Sequence, residues 1–195
     1  MPEVFRERMA QANVLSYRTL FFEQNAETGD FLAPQAYPRR ALAVVGSHDL
    51  PTLRGWWEGR DLNLKERLGL FPDAKEVARQ REMRRRDHAQ LLLSALRREG
   101  LLSAESEPDA EGLARAAHAY LARTSSALAM AQIDDLTDEA DPVNVPTTSD
   151  EHPNWRRRLS LTLEELAEQP RFIDIAEIFR DERCSRKTEG TEEDG

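Results

Sequence analysis

The run Ala41-Leu42-Ala43-Val44-Val45 constrains this chain most, because an apolar stretch without polar alternation makes a strand that must be covered on both faces. Such strands belong to parallel sheets packed under helices. The run stops at Gly46-Ser47, and His48-Asp49-Leu50-Pro51-Thr52 follow directly. Asp49 is expected to cap a helix whose first turn accepts Pro51. Polar side chains delivered at the carboxyl end of a parallel strand lie where α/β enzymes hold their ligands. The pair equally admits a structural reading, in which Asp49 caps the helix and His48 only hydrogen-bonds to it. Trp56 and Trp57 follow on the same helix; one can pack on the sheet while the other faces elsewhere.

The remaining elements follow from periodicity and punctuation. Residues 2–12 read as a helix entered through Pro2, with Val4, Phe5, Met9 and Ala12 on one face. Residues 14–23, rich in β-branched, aromatic and large apolar types, read as a strand, and Gly29, Pro34 and Pro38 mark a loop after it. Charged helices are expected over 62–68 and 74–98. Arg79, Arg81, Arg84, Arg85 and Arg86 interleave with Glu76, Glu82 and Asp87 as a solvated face. After Gly100 and an acidic loop come a helix over 110–123 and a strand over 127–131, followed by Asp134 and Asp135, one of which can cap what comes next. Residues 141–159 form a long, proline-punctuated polar segment, a length that compact domains reserve for loops that bind something. Thr162 caps a helix over 163–167, a last helix spans 172–183, and 184–195 read as a disordered acidic tail. Strands alternating with helical crossovers mean a parallel sheet, and so short a sheet with both edges open suggests the last part of a larger β/α barrel.

Charge and composition narrow the function classes. A chain of 195 residues holds one ordinary domain, and its net charge of -9 argues against a nucleic-acid partner. Cys184 is the sole cysteine, so no internal disulfide or cysteine metal cluster is expected. His48, His88, His118 and His152 lack ligand spacing, which offers no metal site. No segment is apolar over the ~20 residues that a membrane span needs, and the first residues lack a signal-peptide core, so the expected compartment is the cytoplasm.

Several motifs stand in a telling order: Ser16-Tyr17-Arg18 with Phe22-Glu23, Tyr37-Pro38, His48-Asp49-Leu50-Pro51-Thr52 with Gly55-Trp56, and Asp141 to Val145 followed by Glu151-His152-Pro153-Asn154-Trp155-Arg156-Arg157. On these motifs the chain resembles the C-terminal part of the amylomaltase family, the 4-α-glucanotransferases or disproportionating enzymes, as far as about Arg183. The resemblance implies an α/β fold, the C-terminal portion of a (β/α)8 TIM barrel over 1–183. It would have three parallel strands with crossover helices and an inserted helical segment over 61–110.

The implied activity is transfer of α-1,4-glucan segments between maltodextrins by a retaining double displacement, with no cofactor and no metal. The family uses an aspartate nucleophile, a glutamate acid/base and a third aspartate that follows a histidine. By resemblance Asp49 is that third acid, which stabilises the transition state, and His48 is a substrate-binding neighbour. Arg18, Asn144, Asn154 and Trp155 are the further implied contacts with the α-1,4-glucan or maltooligosaccharide. Arg18 reads equally as the ion-pair partner of Glu23 or of a sheet acid, and Trp155 and Arg156 read equally as packing residues. The family commonly has glycine where this chain has Thr147, a position where a Cβ disfavours positive φ. The nucleophile and acid/base have no counterparts among these residues. The expectation is therefore a fragment, inactive alone, whose partner is the missing N-terminal barrel half. The alternative is a non-catalytic remnant that binds glucan weakly or only complements that half.

Overall fold

In the computed structural model, which describes residues 3–105 and 107–189, three parallel strands are ordered β1-β2-β3. These are β1 (Ser16–Thr19), β2 (Ala41–Val44) and β3 (Leu128–Met130). The apolar run of β2 takes the centre, where both of its edges are hydrogen-bonded and its side chains are the most enclosed. Tyr17, Leu42 and Leu128 share one register row, and Thr19, Val44 and Met130 another. Between them, Arg18, Ala43 and Ala129 alternate to the opposite face. That face carries the core: Ala43, Val45 and Ala129 meet Leu92, Leu93 and Leu96 of α5 (Ala89–Arg98) and Leu113, Ala117 and Tyr120 of α6 (Ala110–Ala122). The alanines of α6 let neighbouring helices approach closely, and α9 (Pro170–Glu189) packs along it.

Local chemistry sets the element ends. Asp73 accepts from the Glu76 N–H to start α4 (Ala74–Met83), and Asp109 accepts from the Gly112 N–H to start α6, each at 2.8 Å. Thr162 and Glu165 form a full capping box on α8 (Leu163–Leu166), as expected for Thr162. Gly100 stops α5 with a φ of 68°, a conformation that glycine adopts without a Cβ clash.

Several expectations are corrected. The strand expected over 14–23 is only Ser16–Thr19, because the chain then turns through a 3-10 segment that drives Leu20 into the core and leaves Phe22 outside. The strand expected over 127–131 pairs over three residues. Asp49 does not cap the following helix. Residues 47–50 form a turn closed by Leu50 N–H to Ser47 O, and Thr52 takes the cap of α2 (Leu53–Trp57), accepting from the Gly55 N–H at 3.0 Å. Pro51 therefore precedes the cap instead of sitting in the first turn.

The long helix expected over 74–98 carries a π turn, Arg84–His88, which rotates Arg84 inward. Arg84 then bonds to buried Asp61 of α3 (Arg60–Arg67) and covers the Trp56 ring at 5.5 Å, so it does not belong to the solvated arginine face. Arg79, Arg85 and Arg86 do, paired with Glu76 and Glu82. Trp56 is buried and Trp57 half-buried against the same core, their rings stacked with centroids 6.4 Å apart, so the second ring does not face elsewhere as the alternation of adjacent helix residues allowed.

At the chain's start, α1 (Glu3–Gln11) turns Val4 and Phe5 outward to solvent, and the expected entry at Pro2 lies outside the described residues. The last helix runs past residue 183 to Glu189, since no glycine or proline interrupts it before Gly190. Residues 190–195 of the expected tail lie outside the described residues. Among the described residues, no helix is long and apolar enough to cross a membrane.

Candidate functional site

At the carboxyl end of β2 the backbone leaves the sheet at Gly46, whose carbonyl accepts the Tyr17 hydroxyl at 3.1 Å. Gln132, just after β3 on the adjoining strand, packs against Gly46 so closely that a Cβ there would lie 2.9 Å from Oε1. The turn that follows presents His48 and Asp49 to solvent, their side chains 55% and 50% exposed. His48 Nε2 lies 3.3 Å from Asp49 Oδ2, and Asn144 Nδ2 donates to Asp49 Oδ1 at 2.6 Å. The carboxylate is thus oriented from two sides while one face stays open. Trp155 adds an aromatic wall: its ring centroid lies 5.0 Å from that of His48, tilted by 50°, and the residue is 62% exposed.

The loop that brings Asn144 and Trp155 to this turn is held by its own hydrogen bonds. Asn154 accepts from the Val145 N–H at 2.9 Å and donates to Thr148 Oγ1 at 2.8 Å, while the Trp155 N–H donates to Val143 O at 2.9 Å. Thr147 has a φ of 73° and Trp155 a φ of 61°, the left-handed region that non-glycine residues avoid. Closure of the loop compels both.

Outside the loop, Arg157 pairs with Asp134 and Glu139, and Arg54 of α2 pairs with Asp138 at 2.6 Å. The Glu139 carboxyl is held below its ordinary range because bonds from Ser160 and the Arg157 charge outweigh its burial. Gly55 completes the junction: a Cβ there would meet Ala140 O at 2.2 Å, so only glycine lets the loop backbone lie against α2.

The structure therefore gathers His48, Asp49, Asn144 and Trp155. Asn154 is beside them but its side chain is consumed in shaping the loop. Arg18 is not brought to the group. It lies in the register row of Ala43 and Ala129, bonds to Ser16 Oγ at 3.2 Å and pairs with Glu23 at 3.4 Å. Sequence reasoning missed Asp135 as a support of this site. Its Oδ1 accepts from the Leu53 N–H at 3.0 Å and so caps α2, an element far earlier in the chain. Among the described residues, no group of His, Cys, Asp and Glu side chains could hold a metal ion.

The family model described as 4-alpha-glucanotransferase matches residues 1–163. The chain belongs to the 4-alpha-glucanotransferase family. A 4-alpha-glucanotransferase of Haemophilus influenzae is 35% identical over 169 residues, covering 84% of this chain and 24% of the relative. One of Mycobacterium bovis is 33% identical over 184 residues, covering 90% and 25%. Among solved structures, amylomaltase from Corynebacterium glutamicum superposes with a TM-score of 0.83 at 25% identity, over 92% of this chain and 27% of that one. Amylomaltase from Streptococcus agalactiae in complex with acarbose, at 20% identity and a TM-score of 0.57, shares the fold over 93% of this chain and 30% of that one. The chain thus spans about a quarter of the length of the curated 4-alpha-glucanotransferases it matches.

Proposed function

We propose that this chain is the C-terminal part of the (β/α)8 barrel of a cytoplasmic 4-α-glucanotransferase, and that Asp49 stabilises the transition state of a retaining glycosyl transfer. The observation that carries the reading is the Asp49 carboxylate, oriented by Asn144 and His48 at the carboxyl end of the central parallel strand with one face open. In such a transfer one carboxylate attacks the anomeric carbon as a second, ~5 Å away, protonates the departing 4-oxygen. The glycosyl ester then passes to the 4-hydroxyl of another glucan. Asp49 does neither step. It accepts hydrogen bonds from sugar hydroxyls that tighten as the ring flattens toward an oxocarbenium ion, which is differential transition-state binding. His48 binds a neighbouring hydroxyl, and the exposed Trp155 ring offers an apolar face for a sugar to lie on. Asn154 acts through the loop that it closes. The attacking and protonating carboxylates belong to the part of the relatives that this chain does not span, and no cofactor or metal enters the chemistry.

The test is disproportionation of maltotriose. The 195-residue chain alone is expected to release no glucose, whereas the chain mixed with an upstream barrel segment of the family is expected to make glucose and longer maltooligosaccharides. Activity of the chain alone would overturn the division of carboxylates; a mixture that stays active after Asp49→Ala would overturn the role of Asp49. Because His48, Asp49 and Trp155 are already assembled here, the chain alone is also expected to bind maltoheptaose weakly, with a Kd of about 1 mM or above by calorimetry.

A further inference from the structure

Behind the candidate site lies a buried pair that the chemistry above does not use. His118 on α6 and Asp135 on α7 (Ile133–Leu136) are enclosed on all sides. His118 Nδ1 lies 2.8 Å from Ala114 O, and because a carbonyl only accepts, Nδ1 carries a proton. The other ring nitrogen, Nε2, faces Asp135 Oδ2 at 3.7 Å, and neither atom has a hydrogen-bond partner. A neutral imidazole would present a lone pair at Nε2, and an ionised carboxylate another at Oδ2. Two lone pairs opposed at a buried position leave both groups unsatisfied and repelling each other. One proton between them removes the conflict.

The surroundings do not supply that proton's substitute. From α9, Arg171 acts on the pair through its charge but donates no hydrogen bond to it, its Nη1 bonded to Asp138 and its buried Nε–H without a partner, while the Phe179 ring stands 6.2 Å from the imidazole. Asp134, next along α7, is paired with Arg157. From α2 comes the Leu53 N–H, which is spent on Asp135 Oδ1. Burial pushes the His118 imidazole toward its neutral form and the Asp135 carboxyl toward its protonated form, directions that put the proton on the carboxyl.

We propose that His118 and Asp135 retain one shared proton in the folded chain, and that Asp135, through its other carboxyl oxygen, is a positioning residue for the His48–Asp49 turn. Leu53 opens α2 directly after that turn, and Asp135 follows β3, so their bond ties the turn to the neighbouring strand. The positioning role rests on the reading of Asp49 above; the proton does not.

A retained proton has a signed consequence for stability. Ordinary aspartate and histidine lose their protons around 3.8 and 6.5. Below 3.8 the unfolded pair binds two protons and the folded pair one, so stability rises with pH. Between 3.8 and 6.5 each state binds one, and the pair's contribution is level. Above 6.5 the unfolded pair binds none, so stability falls as pH rises, until the folded pair gives up its proton.

Asp135→Asn separates this from simple packing. The amide oxygen still accepts from the Leu53 N–H, and its N–H2 group donates permanently to Nε2, so the variant needs no proton. In urea unfolding of the 195-residue chain between about pH 7 and about pH 8, the unfolding constant of the wild type is expected to rise relative to that of Asp135→Asn by about tenfold per pH unit. A ratio that stays constant over this range would overturn the shared proton. Should Asp135→Asn fail to fold, carboxyl 13C and imidazole 15N NMR of the wild type decides at about pH 7. One of the two groups must be protonated beyond Nδ1, and an ionised Asp135 beside a neutral His118 sinks the proposal. Amide exchange at Leu53 reads the positioning: it is expected to be at least about tenfold faster in Asp135→Ala with α5 amides unchanged, and an unchanged Leu53 amide overturns that role. None of these readouts uses glucan, so their failure is distinct from failure of the glucanotransferase reading.

Discussion

A half-exposed carboxylate ordinarily samples several rotamers, but Asp49 is held by the Asn144 amide on one oxygen and faces His48 with the other. That preorganisation is what an electrostatic stabiliser needs, since reorienting it during the reaction would cost part of what it contributes. In enzyme reconstituted with an upstream segment, Asn144→Ala is expected to lower kcat by about 10- to 100-fold, and Asp49→Asn by about 1,000-fold, in initial-rate assays on maltotriose. Thr147 makes the complementary case. Its φ of 73° strains a Cβ-bearing residue, so Thr147→Gly is expected to stabilise the chain by up to about 1 kcal/mol in urea unfolding, whereas Thr148→Gly destabilises it by losing bonds to Val145 and Asn154. The strain was legible from the motif, because a glycine expected at Thr147 already implies a left-handed turn. The strain at Trp155 was not, because nothing in Asn154-Trp155-Arg156 announces a positive φ before the loop is seen to close on Val143.

Among the elements, α2 is the joint between sheet, loop and helical layer. Its N-terminus is capped from within by Thr52 and from outside by Asp135, and its side holds the loop through Arg54 and the bare backbone of Gly55. Gly55→Ala is expected to cost about 1–3 kcal/mol, read by thermal or urea unfolding, because the new Cβ cannot share space with Ala140 O. The π turn at Arg84 makes a second joint. Arg84 is 19% exposed and its partner Asp61 4%, so Arg84→Met leaves a buried carboxylate unpaired and is expected to cost about 3–5 kcal/mol. Arg84→Met with Asp61→Leu should recover most of that loss, because the uncompensated charge is then gone too. Helix existence was legible from periodicity and capping residues, and the Thr162 cap was read correctly in place, its Glu165 partner being added by the structure. The cap of α2 was misassigned to Asp49 because a local rule prefers the first acid it meets, while the turn at Ser47 and the pull of Asn144 direct that side chain elsewhere.

At the scale of the molecule, one face of the sheet is packed by helices and the other carries Tyr17, Leu128 and Met130, all more than half exposed. Three short parallel strands with those apolar side chains exposed on one face, although Thr19 and Val44 between them are covered, are what a segment of a larger sheet would present before its neighbours arrive. The chain alone is therefore expected to bind a hydrophobic dye such as ANS and to lose that binding when the upstream segment is added, a titration that follows assembly without measuring catalysis. The sequence by itself determined the parallel sheet around Ala41–Val44, the helical layer and the place of His48 and Asp49 at a strand's carboxyl end. Apolar runs, periodicity and chain connectivity are local properties that dictate such outcomes wherever the chain sits. Only the tertiary structure decided that Asn144 meets Asp49 and Trp155 meets His48 while Arg18 turns toward Glu23, and that Asp135 with His118 underlies the site. All of those meetings but the Arg18–Glu23 pair, which the sequence offered without deciding, join residues far apart in the chain, and they depend on register, loop closure and burial, which no local pattern encodes.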